Sequence, residues 1–189
     1  MILSENKIKG SFLIENDLHS DDRGFFKEIY RKNEVIKTLP FENFVQENHS
    51  RSKKNVLRGM HYQNKRPQGQ LITVFNGKVF YAIVDLRPDS LTFLKTFDII
   101  LSSETKLNQI YTPPGVAGGY LALSDWVDLN YKVTEYYDHL DERGINCFDP
   151  NLNIKWPSSK FIINSRDENY CNSSDIKEKD FPNKKFKFI

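Results

Sequence analysis

Four histidines occur in the chain, and only His61 falls among strand-forming residues, in the run Arg58-Gly59-Met60-His61-Tyr62-Gln63. His19, His49 and His139 lie in polar, loop-like surroundings. An imidazole in such a run is a hydrogen-bonded core group, a metal ligand, or an acid/base group near neutral pH. Metal sites in small β-barrels use two or three histidines and a carboxylate. His61 has no second histidine within ten residues, Gln63 stands where a His-X-His pair would need its partner, and no Cys-X-X-Cys occurs. No metal is therefore expected. Nucleophilic catalysis has as little behind it: there is no Gly-X-Ser-X-Gly elbow, and neither Cys147 nor Cys171 neighbours a histidine. Phosphate-cradling glycine loops are missing too. A phosphorylated ligand would have to be held by arginines, of which Arg58 and Arg23, the latter just before Gly24-Phe25-Phe26, are the best placed.

The elements that must carry these residues read as strands and turns almost throughout. Leu71 to Phe75 is β-branched and aromatic, Asn76-Gly77 follows, and Lys78 to Leu86 runs apolar again, which predicts a hairpin. Val79 to Val84 is apolar on both faces and should lie deep in a sandwich or barrel. Phe97 to Leu101, Leu107 to Thr112, Tyr120 to Leu123 and Val127 to Tyr137 are further strand candidates, with a sharp break at Pro113-Pro114-Gly115. Helix signal is confined to Asn33 to Leu39 and Ser173 to Lys179, and Lys185 to Ile189 alternates like an edge strand. Many short strands between turns predict one all-β domain of jelly-roll type over residues 1–189, with a tail from about 172. In a flat strand Arg58 and His61, three positions apart, would face opposite sides. For both to reach one ligand, Gly59 must sit at a bulge or bend.

Composition removes several function classes. The chain has 189 residues and a formal net charge of +2, too small to argue for a nucleic-acid or membrane partner. Lys184, Lys185 and Lys187 form only a small basic cluster. Two cysteines give no disulfide framework, and free thiols fit a reducing compartment. The longest apolar run, at about Phe80 to Val84, is far below a membrane span of roughly 20 residues. The N-terminus, with Glu5, Lys7 and Lys9, does not read as a signal peptide. A cytoplasmic protein is expected.

Several runs carry a family resemblance. Asp22-Arg23-Gly24-Phe25-Phe26-Lys27-Glu28, Gln46-Glu47-Asn48-His49-Ser50 and Asn55 to Gln63 resemble motifs of the RmlC family, cupin-fold epimerases of nucleotide-linked 4-keto sugars. The likeness continues through Val84-Asp85-Leu86-Arg87, Ser90-Leu91-Thr92-Phe93, Tyr111 to Ala117, Tyr131 to Tyr137, Ile154-Lys155-Trp156-Pro157 and Ser165-Arg166-Asp167. These runs stand in family order and at family spacing over roughly residues 10 to 170.

The resemblance implies a cupin-type jelly roll, a nucleotide-diphospho-4-keto sugar as substrate, and proton abstraction next to its ketone without a cofactor. Such a step at neutral pH needs a positioned base and stabilisation of the enolate. By resemblance His61 is that base, Asp167 its dyad partner and Tyr131 the acid on the other face. Arg23 and Arg58 resemble diphosphate contacts, for which a guanidinium fork is suited. Glu28, Gln46 and Asn48 resemble residues that hold nucleotide and sugar hydroxyls, and Tyr137 resembles a platform for the base. Phe26, Gln70, Gly118, Glu142 and Arg166 complete the implied substrate-binding set. The arm from Arg23 to Glu28 would enter the site of a neighbouring subunit, which implies a homodimer.

Two positions depart from the family pattern. Gly69-Gln70-Leu71 has glutamine where the family usually has a lysine, and Val116-Ala117-Gly118-Gly119-Tyr120 has glycine in place of a histidine. A glutamine supplies no charge, and a glycine should leave a hole of imidazole size that could admit a bulkier sugar such as a heptose. The expected activity is C3 inversion, with C5 second, on a dTDP- or GDP-linked 4-keto sugar for surface polysaccharide. The alternatives are a degenerate member that binds a nucleotide sugar without turning it over and, disfavoured by the histidine count, a metal-dependent cupin.

Overall fold

The structure, a computed structural model, describes residues 1–39 and 43–182. Thirteen strands follow in chain order. They are β1 (Ile2–Glu5), β2 (Phe12–Glu15), β3 (His19–Asp21), β4 (Gly24–Phe26), β5 (Gln46–Lys53), β6 (Leu57–Gln63) and β7 (Gln70–Asn76). Then come β8 (Lys78–Asp85), β9 (Thr96–Ser102), β10 (Leu107–Thr112), β11 (Val116–Ala122), β12 (Trp126–Val133) and β13 (Glu142–Gly144). Two one-turn helices, α1 (Lys32–Val35) and α2 (Ser165–Glu168), join them. One sheet has six strands in the order β1-β2-β10-β7-β12-β5, a second has five in the order β13-β6-β11-β8-β9, and β3 and β4 pair as a separate two-stranded hairpin. All these pairings are antiparallel, and the two larger sheets face each other as a cupin-type jelly roll.

Strand β8 explains its own composition. Val79, Tyr81 and Ile83 point between the sheets with Ile72, Val74 and Leu129. Phe80, Ala82 and Val84 point outward, under Trp156, Phe161, Ile176 and Phe181 of the C-terminal segment. Both faces are thus buried, as a run without alternation requires. Tyr62 Oη donates to the Asp180 carbonyl at 2.8 Å and Asn64 Nδ2 to that of Lys179 at 2.9 Å, so this segment is tied to the end of β6.

The predicted Asn76-Gly77 hairpin is not one. β7 pairs with β10 and β12, whereas β8 pairs with β11 and β9, so the turn is a corner between sheets. A two-residue type I′ turn needs positive φ at both central residues. Gly77 has φ +80° and Asn76 is not left-handed. A Cβ at 77 would lie 2.5 Å from the Trp126 carbonyl oxygen, so glycine is required where the corner passes the β11–β12 loop. The turn signal marked the break between the two strands but not which strands would pair.

Other boundaries shift modestly. β11 starts at Val116, before the expected Tyr120, and β12 ends at Val133. The segment Ser173 to Lys179 forms two 3₁₀ turns, Ser173–Asp175 and Glu178–Asp180. Lys184, Lys185, Lys187 and the alternation to Ile189 lie outside the described residues. Cys147 is buried, Cys171 exposed, and both are free. Among the described residues, no helix is long and apolar enough to cross a membrane.

Candidate active site

The irregularity expected at Gly59 is a bulge. Tyr120 pairs with Arg58 and Gly118 with His61, so three residues of β11 face four of β6. Gly59 has φ +123°, and a Cβ there would lie 2.5 Å from the Gly119 Cα, so only glycine fits. The extra residue resets the alternation, and Arg58 and His61 line the same cavity.

Asp167 holds both the bulge and the ring. It comes from α2, whose N-cap Asn164 accepts the Asp167 N–H through Oδ1 at 2.7 Å. Its carboxylate is fully buried, with Oδ1 2.8 Å from His61 Nε2 and Oδ2 accepting the Gly59 N–H at 3.1 Å. Burial pushes this carboxyl upward, but the His61 hydrogen bond and charge, the Gly59 N–H and Arg166 outweigh it and hold it below the ordinary carboxylate range. The pairing assigns the Nε2–H tautomer to neutral His61 and leaves a lone pair on Nδ1. Arg166 Nη2 is 3.3 Å from the same Nε2, where a donor has no lone pair to meet, so it acts there by charge. Tyr170 packs edge-on against the imidazole, centroids 5.9 Å apart.

The cavity between the sheets has a volume of about 430 Å³. Gln46 and Asn48 of β5, Gln70 of β7 and Tyr131 of β12 line it from the six-stranded sheet. Arg58, His61, Gly118 and Glu142 line it from the other, so His61 and Tyr131 belong to opposite walls. Burial, then the neighbouring Tyr120, raises the Tyr131 hydroxyl above its ordinary value. Arg58 Nε donates to Ser52 Oγ at 3.1 Å. Gln46 Nε2 donates to Asn48 Oδ1 at 2.9 Å, and Gln70 Nε2 reaches Gln68 Oε1 at 3.4 Å. At the rim Arg166 pairs with Glu142, which also accepts the Tyr137 hydroxyl at 3.1 Å.

Arg23, Phe26 and Glu28 do not reach this cavity. Arg23 and Phe26 belong to the exposed arm around β3–β4, where Arg23 pairs with Asp21 at 2.6 Å, while Glu28 pairs with Arg31 at 2.7 Å. Among the described residues no group of three or more His, Cys, Asp or Glu side chains is placed to hold a metal ion.

The hole expected at Gly118 is filled. A Cβ there would lie 2.5 Å from the hydroxyl oxygen of Tyr81, so a phenol from β8 occupies that space. Tyr81 and Tyr120 are lining residues that sequence reasoning missed. The available signal was a hydroxyl in an otherwise apolar strand, which a buried tyrosine must direct somewhere.

A family model described as dTDP-4-dehydrorhamnose 3,5-epimerase matches residues 5–175. The dTDP-4-dehydrorhamnose 3,5-epimerase of Escherichia coli K12 is 39% identical over 171 residues, covering 89% of this chain and 92% of the relative. The crystal structure of dTDP-6-deoxy-D-glucose-3,5-epimerase RmlC from Legionella pneumophila, in complex with dTDP-4-keto-L-rhamnose, superposes with a TM-score of 0.90 at 36% identity, covering 96% of this chain and 97% of that one. ChmJ, a 3'-monoepimerase from Streptomyces bikiniensis solved with dTDP-quinovose, gives 0.83 at 28%, covering 88% and 85%. With the jelly roll and the His61–Asp167 pair in place, the chain belongs to the dTDP-4-dehydrorhamnose 3,5-epimerase family and is an isomerase of the epimerase class.

Proposed function

We propose that this protein epimerises a dTDP-linked 4-keto-6-deoxyhexose, inverting C3 and, as the second carbon next to the same ketone, C5. The observation that carries the reading is the His61–Asp167 pair on one wall of a cavity with Tyr131 on the other. His61 Nδ1 takes the proton from the carbon α to the ketone, while Asp167 fixes the tautomer and stabilises the imidazolium. Tyr131 returns a proton to the opposite face, which inverts the centre. Arg58 binds the diphosphate, Tyr137 faces the base, and Gln46, Asn48, Glu142 and Arg166 hold polar groups near the rim.

Arg23, Phe26 and Glu28 act in the site of a second copy, in a homodimer; their exposure, away from this chain's own cavity, supports that reading. The two free thiols support a reducing, cytoplasmic setting. The product serves surface polysaccharide. The sugar is a hexose rather than a heptose, because Tyr81 takes the room at Gly118 that argued for a larger one. dTDP is preferred to GDP because the similar proteins carry dTDP in their names. A binder without turnover is the second reading, favoured only by the neutral Gln70.

The test is incubation in D₂O with a panel of dTDP- and GDP-linked 4-keto sugars, followed by NMR. Deuterium at C3 of the dTDP-hexose is expected. Binding without exchange across the whole panel would move the protein to the second reading.

A further inference from the structure

We propose that the Tyr81 hydroxyl is a catalytic hydrogen-bond donor, which holds the substrate's ketone oxygen as that oxygen gains charge. The inference rests on the epimerase reading above and adds a residue to it. Tyr81 lies on β8 opposite Tyr120 of β11, and two residues along β11 stands Gly118, opposite His61 of β6. Tyr81 is therefore diagonal to Gly118 on the face turned to the other sheet. With no side chain at 118, the phenol crosses the central strand, and its oxygen comes within 2.5 Å of where a Cβ would be. Directly opposed Cβ positions on neighbouring strands are about 4.5–5.5 Å apart, so the hydroxyl and the His61 ring address adjacent points of one cavity. That is the arrangement the reaction needs, because the departing proton and the ketone oxygen are attached to neighbouring carbons.

The hydroxyl is also uncommitted. Tyr81 is 3% exposed and lines the cavity, and among the described residues its oxygen makes no hydrogen bond. Tyr120, beside it, is tied to Ser52 Oγ at 2.9 Å and Ser50 Oγ at 3.2 Å. Buried polar groups are nearly always paired, so a free hydroxyl opening on a cavity asks for a ligand. Of the lining arginines, Arg58 is assigned to the diphosphate and Arg166 pairs with Glu142 and Asp167, while Gln70 carries no charge. Burial pushes the Tyr81 phenol well above its ordinary value, so it stays protonated and donates at working pH. In the step, the C–H electron pair becomes the C=C bond of the enolate as His61 Nδ1 takes the proton. The carbonyl π pair moves to the oxygen, which the Tyr81 O–H bonds without giving up its proton. Protonation of the carbon by Tyr131 restores the ketone.

The test is Tyr81→Phe, which keeps the ring and removes only the oxygen, assayed with dTDP-4-keto-6-deoxyglucose in D₂O. Removing one such donor typically lowers kcat ~10²–10³-fold. That loss is expected with little change in KM and with C3 and C5 exchange slowed together, since both share one oxygen. Gly118→Ala, whose methyl displaces the hydroxyl, should reproduce the fall, and it decides the matter if Tyr81→Phe does not fold. Wild-type kcat in the variants, or a change confined to KM, would reduce Tyr81 to a space-filling ring. Exchange absent from the wild-type protein would instead overturn the epimerase reading itself.

Discussion

His61 Nε2 and Asp167 Oδ1 are 2.8 Å apart, and the other oxygen of the same carboxylate accepts the Gly59 N–H at 3.1 Å. One buried anion thus sets the tautomer of the proposed base and anchors the bulge that brings Arg58 to the cavity. Asparagine at 167 has a single acceptor oxygen for two donors. If it serves Gly59, its NH₂ faces Nε2 and forces the imidazole proton onto Nδ1, the atom that must accept. Asp167→Asn is expected to lower kcat about 10²–10⁴-fold, the upper figure being the loss seen when a serine-protease triad aspartate is changed in this way. Steady-state kinetics beside a thermal melt checks it, and a fully active, folded variant would remove Asp167 from the mechanism.

Tyr131 tests stereochemistry more sharply than rate. It stands on the wall opposite His61, so its proton reaches the face that His61 does not serve. Tyr131→Phe should still let His61 remove a proton and return it to the same face. NMR in D₂O should therefore show exchange persisting next to the ketone while inverted product falls roughly 10²-fold or more. Unchanged inversion would assign the second acid elsewhere.

Arg58 reports on binding. Its fork can meet two phosphate oxygens, whereas a lysine meets them as a point charge. Arg58→Lys is expected to raise KM roughly tenfold, equivalent to about 1.4 kcal/mol, with kcat nearly unchanged. A fall in kcat at constant KM would contradict a diphosphate role.

Much of this was legible in the sequence for a physical reason. Gly59 could be placed at an irregularity because strand alternation and a shared ligand cannot both hold for residues three apart. The two apolar faces of Val79 to Val84 forecast a strand covered on both sides. What stayed hidden depended on partners distant in sequence. The Asn76-Gly77 signal is local, but pairing is decided by β10, β12, β11 and β9, so a predicted hairpin became a corner. The expected hole at Gly118 failed similarly, since Tyr81, 37 positions earlier, fills it from the next strand.

The edge of the site has its own pH signature. Asp128 joins β12 to β5 through Arg51 Nε and His49 Nε2, each 2.8 Å from Oδ1, and β5 carries Gln46 and Asn48. The Arg51 hydrogen bond, opposed by burial and aided by His49, lowers this carboxyl from 3.8 to about 2. A depressed folded-state value means its stabilisation is present above pH 3.8 and lost as pH falls through about 2. Because Arg51 and His49 are more than half exposed, the contribution is discounted to about 1 kcal/mol. Asp128→Asn should cost that much at pH 7 in urea unfolding, with the gap to wild type closing toward pH 2. A gap that is constant with pH would assign the loss to packing rather than charge.

The central claim is that His61 removes a carbon-bound proton next to a ketone. The direct measurement is deuterium wash-in by NMR from D₂O into dTDP-4-keto-6-deoxyglucose, with wild type and His61→Asn side by side. Label at C3 with wild type, and a loss of exchange of about 10²-fold or more in a variant that melts normally, is predicted. Exchange at the wild-type rate in His61→Asn would contradict it.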